Sequence, residues 1–168
     1  MKNNLVLIGM PGAGKSTVGV VLAKTLGYDF IDTDILLSRR IGMTLQKFID
    51  RYSIESFLME EAHAALSLDC ENTVIATGGS MVLSEQAMRH LQDGSTAVFI
   101  DIPLEEVKRR LRNIKTRGIA LKSGQTIEAL YAERQPLYEK YADITVPRRS
   151  ENIQDLEGLV GEIIGIWN

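Results

Sequence analysis

Gly9-Met10-Pro11-Gly12-Ala13-Gly14-Lys15-Ser16 matches the phosphate-binding pattern G-x-x-x-x-G-K-[ST] at every fixed position. The residues before it, Leu5-Val6-Leu7-Ile8, form a continuous apolar run, as expected of a strand buried on both faces of a parallel sheet. After it, Val18, Val21, Leu22 and Leu26 recur on one stripe of a helix that Gly27 ends. Strand, glycine loop and helix in that order are the context this motif requires. Glycines let the backbone wrap closely around phosphates. The loop N–H groups and the positive end of the helix then face the anion. Lys15 is placed to reach the β- and γ-phosphates as a point charge, and Ser16 to offer a hydroxyl to Mg²⁺. A chance glycine turn is the competing reading, and pattern and context together argue against it. The motif identifies a nucleotide, not a reaction.

Working outward, strands and helices alternate. Tyr28–Ile31 reads as a second strand closing on Asp32-Thr33-Asp34, and two or three helices fill about Ile35 to Leu68. Thr73–Ala76 is a third strand ending in Thr77-Gly78-Gly79, and Ser84 is an N-cap for a helix to about Leu91. Ala97–Ile100 is a fourth strand, followed by a helix carrying Leu104, Val107 and Leu111. A polar stretch from about Arg112 to Gln125 precedes a helix from near Thr126, which Pro136 is expected to interrupt or kink. Ile144–Val146 is a fifth strand, and Leu156, Leu159, Val160, Ile163 and Ile164 mark an amphipathic C-terminal helix. Such alternation predicts an α/β fold whose parallel sheet is covered on both faces, with right-handed crossovers and ligands at the carboxyl ends of the strands.

Bulk properties narrow the function classes. The chain has 168 residues, 45% hydrophobic and 24% charged, which suits one ordinary globular domain spanning 1–168. A net charge of −3 argues against nucleic acid as the main partner, because backbone binding needs a basic surface. The one cysteine, Cys70, forms no internal disulfide and points to a reduced, cytoplasmic compartment. The apolar start is too short for a signal-peptide core or a membrane span. A monomer is the expectation for a domain without an evident association motif. His63 and His90 lack ligand-spaced partners, and Cys70 reads as an inert thiol. Tyr131, Tyr138 and Tyr141 fit helix packing better than base stacking.

The guanine-reading N-K-x-D segment of a GTPase is absent, and Asp155-Leu156-Glu157-Gly158 lies in the C-terminal helix. Asp101 ends an apolar run as an ATPase acid would, but Ile102-Pro103 follows, so it is read as a helix-entry residue. The better acids are Asp32 and Asp34. Their i, i+2 spacing points both carboxylates the same way if the backbone stays extended. One would hold the water shell of Mg²⁺; the other would take the proton, or the hydrogen bond, of a substrate hydroxyl. Helix capping is the competing reading.

Gly-Ala-Gly-Lys-Ser-Thr-Val-Gly (12–19), Phe-Ile-Asp-Thr-Asp (30–34), Ala-Thr-Gly-Gly (76–79) and Glu-Arg-Gln-Pro-Leu-Tyr (133–138) follow one another at a spacing that resembles the shikimate kinase family over nearly the whole chain. The resemblance implies a phosphate-loop NTPase fold: a three-layer α/β/α sandwich with five parallel strands in order 2-3-1-4-5. It also implies substrate-binding helices over about 33–68 and a lid over about 112–125. The implied cofactors are ATP and Mg²⁺, with Gly12, Ala13, Gly14, Lys15, Ser16, Thr17, Arg110 and Arg117 binding the nucleotide and Ser16 and Asp32 the metal. Lys15, Asp34 and Arg117 are the implied catalytic residues. Arg110 matches a family arginine near adenine, and Pro147 to Asn152 would be the loop around it. Asp34, Gly78, Gly79 and Arg134 are the implied substrate-binding set, Arg134 taking the carboxylate. A solvated helix arginine is the competing reading of Arg134.

Three departures bear on the acceptor. The family segment Gly-Glu-x-x-Phe-Arg-x-x-Glu is here Ser53-Ile54-Glu55-Ser56-Phe57-Leu58-Met59-Glu60-Glu61, so a carboxylate-binding arginine is replaced by Leu58. The third glycine after strand three is Ser80, whose side chain either narrows the pocket or points away. The lid Arg-Pro-Leu-Leu is Arg117-Gly118-Ile119-Ala120. The expected function is phosphorylation of shikimate to shikimate 3-phosphate in aromatic amino-acid biosynthesis; for the missing arginine, either Arg39, Arg40 or Arg51 substitutes, or the enzyme is a weak or specialised shikimate kinase, or the pocket serves another polyol. The alternatives are a kinase of another polyol and a nucleotide-binding regulatory protein without catalysis.

Overall fold

The five residues of β1 (Asn4–Ile8) are all buried, so this strand runs through the middle of the protein rather than along an edge. A computed structural model describes residues 3–112, 119–148 and 153–167. In chain order β1 is followed by α1 (Lys15–Leu26), β2 (Asp29–Asp32), α2 (Thr33–Ile41), α3 (Leu45–Arg51) and α4 (Ile54–Leu66). Then come β3 (Thr73–Ala76), a 3₁₀ turn (Met81–Leu83), α5 (Glu85–Gln92), β4 (Ser95–Asp101), α6 (Leu104–Leu111), α7 (Ile127–Tyr141), β5 (Ile144–Pro147) and α8 (Ile153–Trp167). The sheet has five strands in order β2-β3-β1-β4-β5, and each paired set is parallel. The sequence-based expectation of fold class and strand order therefore holds.

Registers Leu7↔Ala76 and Leu7↔Val98 bring the ends of β3 and β1 level, with β4 running on to Asp101. The loops that leave those ends, together with the end of β2, share one edge of the sheet, where ligands bind in such folds. The main core joins strand residues such as Leu5, Leu7, Ile75, Val98 and Phe99 to Val18 and Leu22 of α1 and to Leu159 and Ile163 of α8. Leu37, Phe57, Ala64 and Ala120 form a second, smaller cluster, against which Leu58 packs. It ties α2–α4 to the segment before α7.

Helix ends follow the expected chemistry. Gly27 (φ 70) caps α1 in the left-handed conformation, and the Ser84 hydroxyl accepts from the Ala87 N–H at the start of α5. Two local expectations are corrected. Pro136 does not interrupt α7, which continues through it to Tyr141; burial of Leu130, Arg134, Tyr138 and Tyr141 along one side anchors it on both sides of the proline. Asp101 is not a helix-entry residue: it closes β4, and the residue that caps α6 is Pro103. The Asp101 carbonyl accepts from the Arg148 N–H, extending the β4–β5 ladder by one bond.

Candidate active site

The glycine loop folds as its sequence demands. Gly12 and Gly14 have φ of 81° and 85°, which side-chain-bearing residues rarely adopt. A methyl group at Gly14 would also overlap the Arg148 guanidinium. That guanidinium donates to the Ala13 carbonyl at 2.8 Å, and Arg110 donates to the Gly12 carbonyl at 2.9 Å. Two loop carbonyls are thus held by arginines, and the Ala13 N–H donates to the Met10 carbonyl at 3.0 Å; successive N–H groups of such a glycine loop suit an anion. Lys15, the first residue of α1, is only 7% exposed. Its ammonium donates to the carbonyls of Gly9 (2.7 Å) and Met10 (2.9 Å). Burial pulls its pKa down to about 8, against the opposing pull of Asp34 and then Asp32. Both acids are therefore near enough to act on it electrostatically.

The condition of an extended Asp32-Thr33-Asp34, on which parallel carboxylates depended, is not met: Asp32 ends β2, and Thr33 and Asp34 already lie in α2. Asp32 caps that helix, its Oδ1 accepting from the Asp34 N–H at 2.9 Å and from the Ile35 N–H at 3.4 Å. Its Oδ2 accepts from the Ser16 hydroxyl at 2.6 Å. Capping therefore occupies one oxygen of this carboxylate and the Ser16 hydroxyl the other. The Ser16 and Asp32 oxygens are hard ligands side by side on the cavity wall, a donor set that suits Mg²⁺.

Beyond these lies a cavity of about 810 Å³ whose wall includes Lys15, Ser16, Thr17, Asp32, Asp34 and Arg134. Gly12 and Gly14 line it too, while Ala13 is buried beneath them. Gly78 and Gly79 also line the cavity. The Gly78 N–H donates to the Thr33 hydroxyl at 3.0 Å, fastening the end of β3 to the start of α2. A methyl on Gly78 would overlap the Oε1 of Glu61 and come within 2.8 Å of the Asp34 Oδ1. One on Gly79 would lie 2.6 Å from Pro11. Absence of a side chain here lets the phosphate loop, Asp34 and Glu61 approach one another.

Arg134 is 1% exposed, so the solvated-helix reading is set aside. Its guanidinium donates to the Ala120 carbonyl at 2.8 Å, and its Nε has no hydrogen-bond partner among the described residues. An orphaned, buried arginine nitrogen beside a cavity is a group awaiting an anion. Arg110 lies outside the cavity wall; it is held by Glu106 at 2.6 Å and by the Gly12 carbonyl. Arg117 and residues 149–152 of the expected adenine loop fall outside the described residues. The segment that follows Arg117 contributes Ile119 and Ala120 to the wall.

Glu61 was given no role from the sequence. It lies on the buried face of α4 with Phe57, Ala64 and Ala65, and a glutamate on an apolar helical stripe is the signal that would have found it. It is 2% exposed, and its Oε1 has no partner among the described residues. Its Oε2 accepts from the Ser80 hydroxyl at 2.7 Å. Burial is the main cause that lifts its pKa to about 7; the Ser80 bond opposes this, and the Asp34 charge adds to it. Ser80 therefore does not point away: it lines the cavity and holds a buried acid. Tyr138 also has a positioning contact beyond packing, since its hydroxyl donates to the Gly79 carbonyl at 2.6 Å. Leu58, by contrast, is not on the cavity wall.

The cavity thus joins the glycine loop and Lys15, the hydrogen-bonded Ser16–Asp32 pair, Asp34 and the buried Arg134. The family model for shikimate kinase matches residues 11–164. A shikimate kinase of Paracidovorax citrulli is 37% identical over 157 residues, covering 89% of this chain and 85% of that protein. A solved shikimate kinase of Acinetobacter baumannii in complex with shikimate superposes with a TM-score of 0.85 at 27% identity, over 98% of this chain and 92% of that one. The shikimate kinase of Aquifex aeolicus gives 0.81 at 33% identity, over 96% and 94%. The chain belongs to the shikimate kinase family, ATP- and Mg²⁺-dependent enzymes that transfer a phosphoryl group to a hydroxyl.

Proposed function

We propose that this enzyme transfers the γ-phosphoryl group of MgATP to a hydroxyl of shikimate, with the residue roles that follow. The observation that carries this reading is the arrangement of one cavity, with Lys15 and Asp34 on its wall and the buried, anion-seeking Arg134 in it. Lys15 steadies the negative charge of the transferring group, released from the Gly9 and Met10 carbonyls as phosphate oxygens replace them. Ser16 and Asp32 hold Mg²⁺, which when bound neutralises phosphate charge. Asp34 accepts the proton of the attacking hydroxyl as the new O–P bond forms, while the bond from the γ-phosphorus to the bridging oxygen breaks and ADP departs. The backbone N–H groups of Gly12, Gly14, Ser16 and Thr17 meet phosphates. Gly78 and Gly79 let the acceptor lie against the backbone, and Glu61 Oε1 takes a second hydroxyl.

Arg134 takes the acceptor carboxylate, and Arg117 closes over the phosphates as part of a lid at about 112–125. Arg110 serves the adenine side, supported by its place against the Gly12 carbonyl. Helices α2–α4 form the substrate-binding region, and residues 1–168 act as one monomeric, cytoplasmic kinase domain. Among the described residues, no helix is long and apolar enough to cross a membrane. Within the shikimate pathway the reaction serves aromatic amino-acid biosynthesis.

An ADP-release assay over shikimate, quinate, gluconate and inositols tests the acceptor. Shikimate-dependent ADP formation, lost in Asp34→Asn, is the expected result. Turnover with another polyol alone would assign a different acceptor. MgATP binding by calorimetry without turnover on any of them would identify a regulatory protein.

A further inference from the structure

The acceptor carboxylate that meets Arg134 has lost the second arginine of the family pattern, because Leu58 stands at that position. We propose that Arg39 is the second carboxylate-binding residue of this enzyme, a specificity determinant supplied by α2 in place of α4. The proposal rests on the shikimate reading given above.

Leu58 is committed elsewhere: it packs against the cluster of Leu37, Phe57, Ala64 and Ala120 and is absent from the cavity wall. Of the arginines on α2 and α3, Arg40 is engaged with Glu60 at 2.9 Å. Arg51 lies over the Tyr52 ring, 5.6 Å from its centroid. Arg39 lines the cavity, and its side chain has no hydrogen bond or ion pair among the described residues. Asp34, Ile35, Ser38 and Arg39 all line the cavity from α2, a spacing that puts them on one helical face. At about 1.5 Å rise per residue, Arg39 lies roughly 7–8 Å further along the axis than Asp34. A small ring whose hydroxyl meets Asp34 thus presents its far side toward Arg39. Arg134, buried and with an unpartnered Nε, supplies the fixed half of the clamp. Arg39, exposed and with a long stem, supplies the adaptable half, and a planar fork suits a carboxylate.

The test measures KM and kcat for shikimate and for its methyl ester, which keeps the hydroxyls and removes the charge. Arg39→Gln is expected to raise the shikimate KM about tenfold or more, with kcat, the ATP KM and the ester KM little changed. Arg40→Gln leaves all four as they are. Arg39→Lys, which keeps charge but loses the fork, falls between wild type and Arg39→Gln and also serves if the glutamine variant does not fold. An unchanged shikimate KM in Arg39→Gln, or an equal rise for acid and ester, overturns the assignment of Arg39 while leaving the kinase reading intact. A wild-type enzyme that does not phosphorylate shikimate overturns both.

Discussion

The two ends of the cavity are built by different means. At the phosphate end, contacts are mostly to backbone: arginines grip the Gly12 and Ala13 carbonyls, and Lys15 grips those of Gly9 and Met10. At the acceptor end, side chains from α2, α4, α7 and the β3 loop converge, and two buried polar atoms, Glu61 Oε1 and Arg134 Nε, have no partner among the described residues. A triphosphate is the same object in every such enzyme, so a backbone cradle with fixed glycines serves it. An acceptor is read by side-chain charge and shape, and side chains from several elements can be exchanged for one another. The lesson is that strict motif matching belongs to the first end, and departures such as Leu58 and Ser80 to the second.

Lys15→Ala should produce the largest effect. Removing the only phosphate-directed charge of the loop is expected to lower kcat by about 10²–10³, measured by ADP release, with shikimate binding by calorimetry retained. If shikimate binding fell equally, the two ends would not be separable. Arg134→Gln should act on the other end, raising the shikimate KM by about tenfold to a hundredfold with the ATP KM nearly unchanged.

Glu61→Gln sharpens the comparison through stability. A glutamate whose folded pKa of about 7 exceeds its unfolded value near 4.5 binds its proton more tightly when folded. Folding stability from this group is therefore full below about pH 4.5, falls as pH rises to about 7, and stays lower above it. A neutral glutamine amide at this position carries no such penalty. The variant should gain up to about 3 kcal/mol over wild type at pH 8, and the gain should vanish near pH 4.5. Denaturant titrations at the two pH values measure this, and a pH-independent difference would contradict an acid held against its ionised form. Leu58→Arg should have the smallest effect. Because Leu58 faces an apolar cluster rather than the cavity wall, the shikimate KM should fall by less than tenfold. A larger fall would mean that the acceptor end had kept room for the family arginine.

How much of this was legible in the chain differs in the same way. Gly9 to Ser16 declared strand, loop and helix together, because each position in a phosphate loop answers a backbone constraint visible in one short window. Asp32 and Asp34 were recognisable as a pair, but their geometry was left between an extended backbone and a helix cap; helix α2 starts at Thr33 and makes Asp32 its cap. The Asp101 assignment failed for a related reason, since a strand end and a helix start separated by a proline look alike in sequence. Glu61 was given no role because its place on the apolar stripe of α4 was not weighed, and only packing shows it 2% exposed.

The order of residues by itself determined the phosphate loop and the alternation of strands and helices, because periodicity and loop chemistry are local properties; the family came from the resemblance of four motifs and their spacing. Only the tertiary structure decided which charges are desolvated and which are committed to one another. It buried Glu61 beside Ser80, left Arg134 Nε open, paired Arg40 with Glu60 and turned Arg39 toward the cavity. Those outcomes depend on residues far apart in the chain meeting out of water, and the energy of a charge is set by that meeting rather than by its neighbours in sequence.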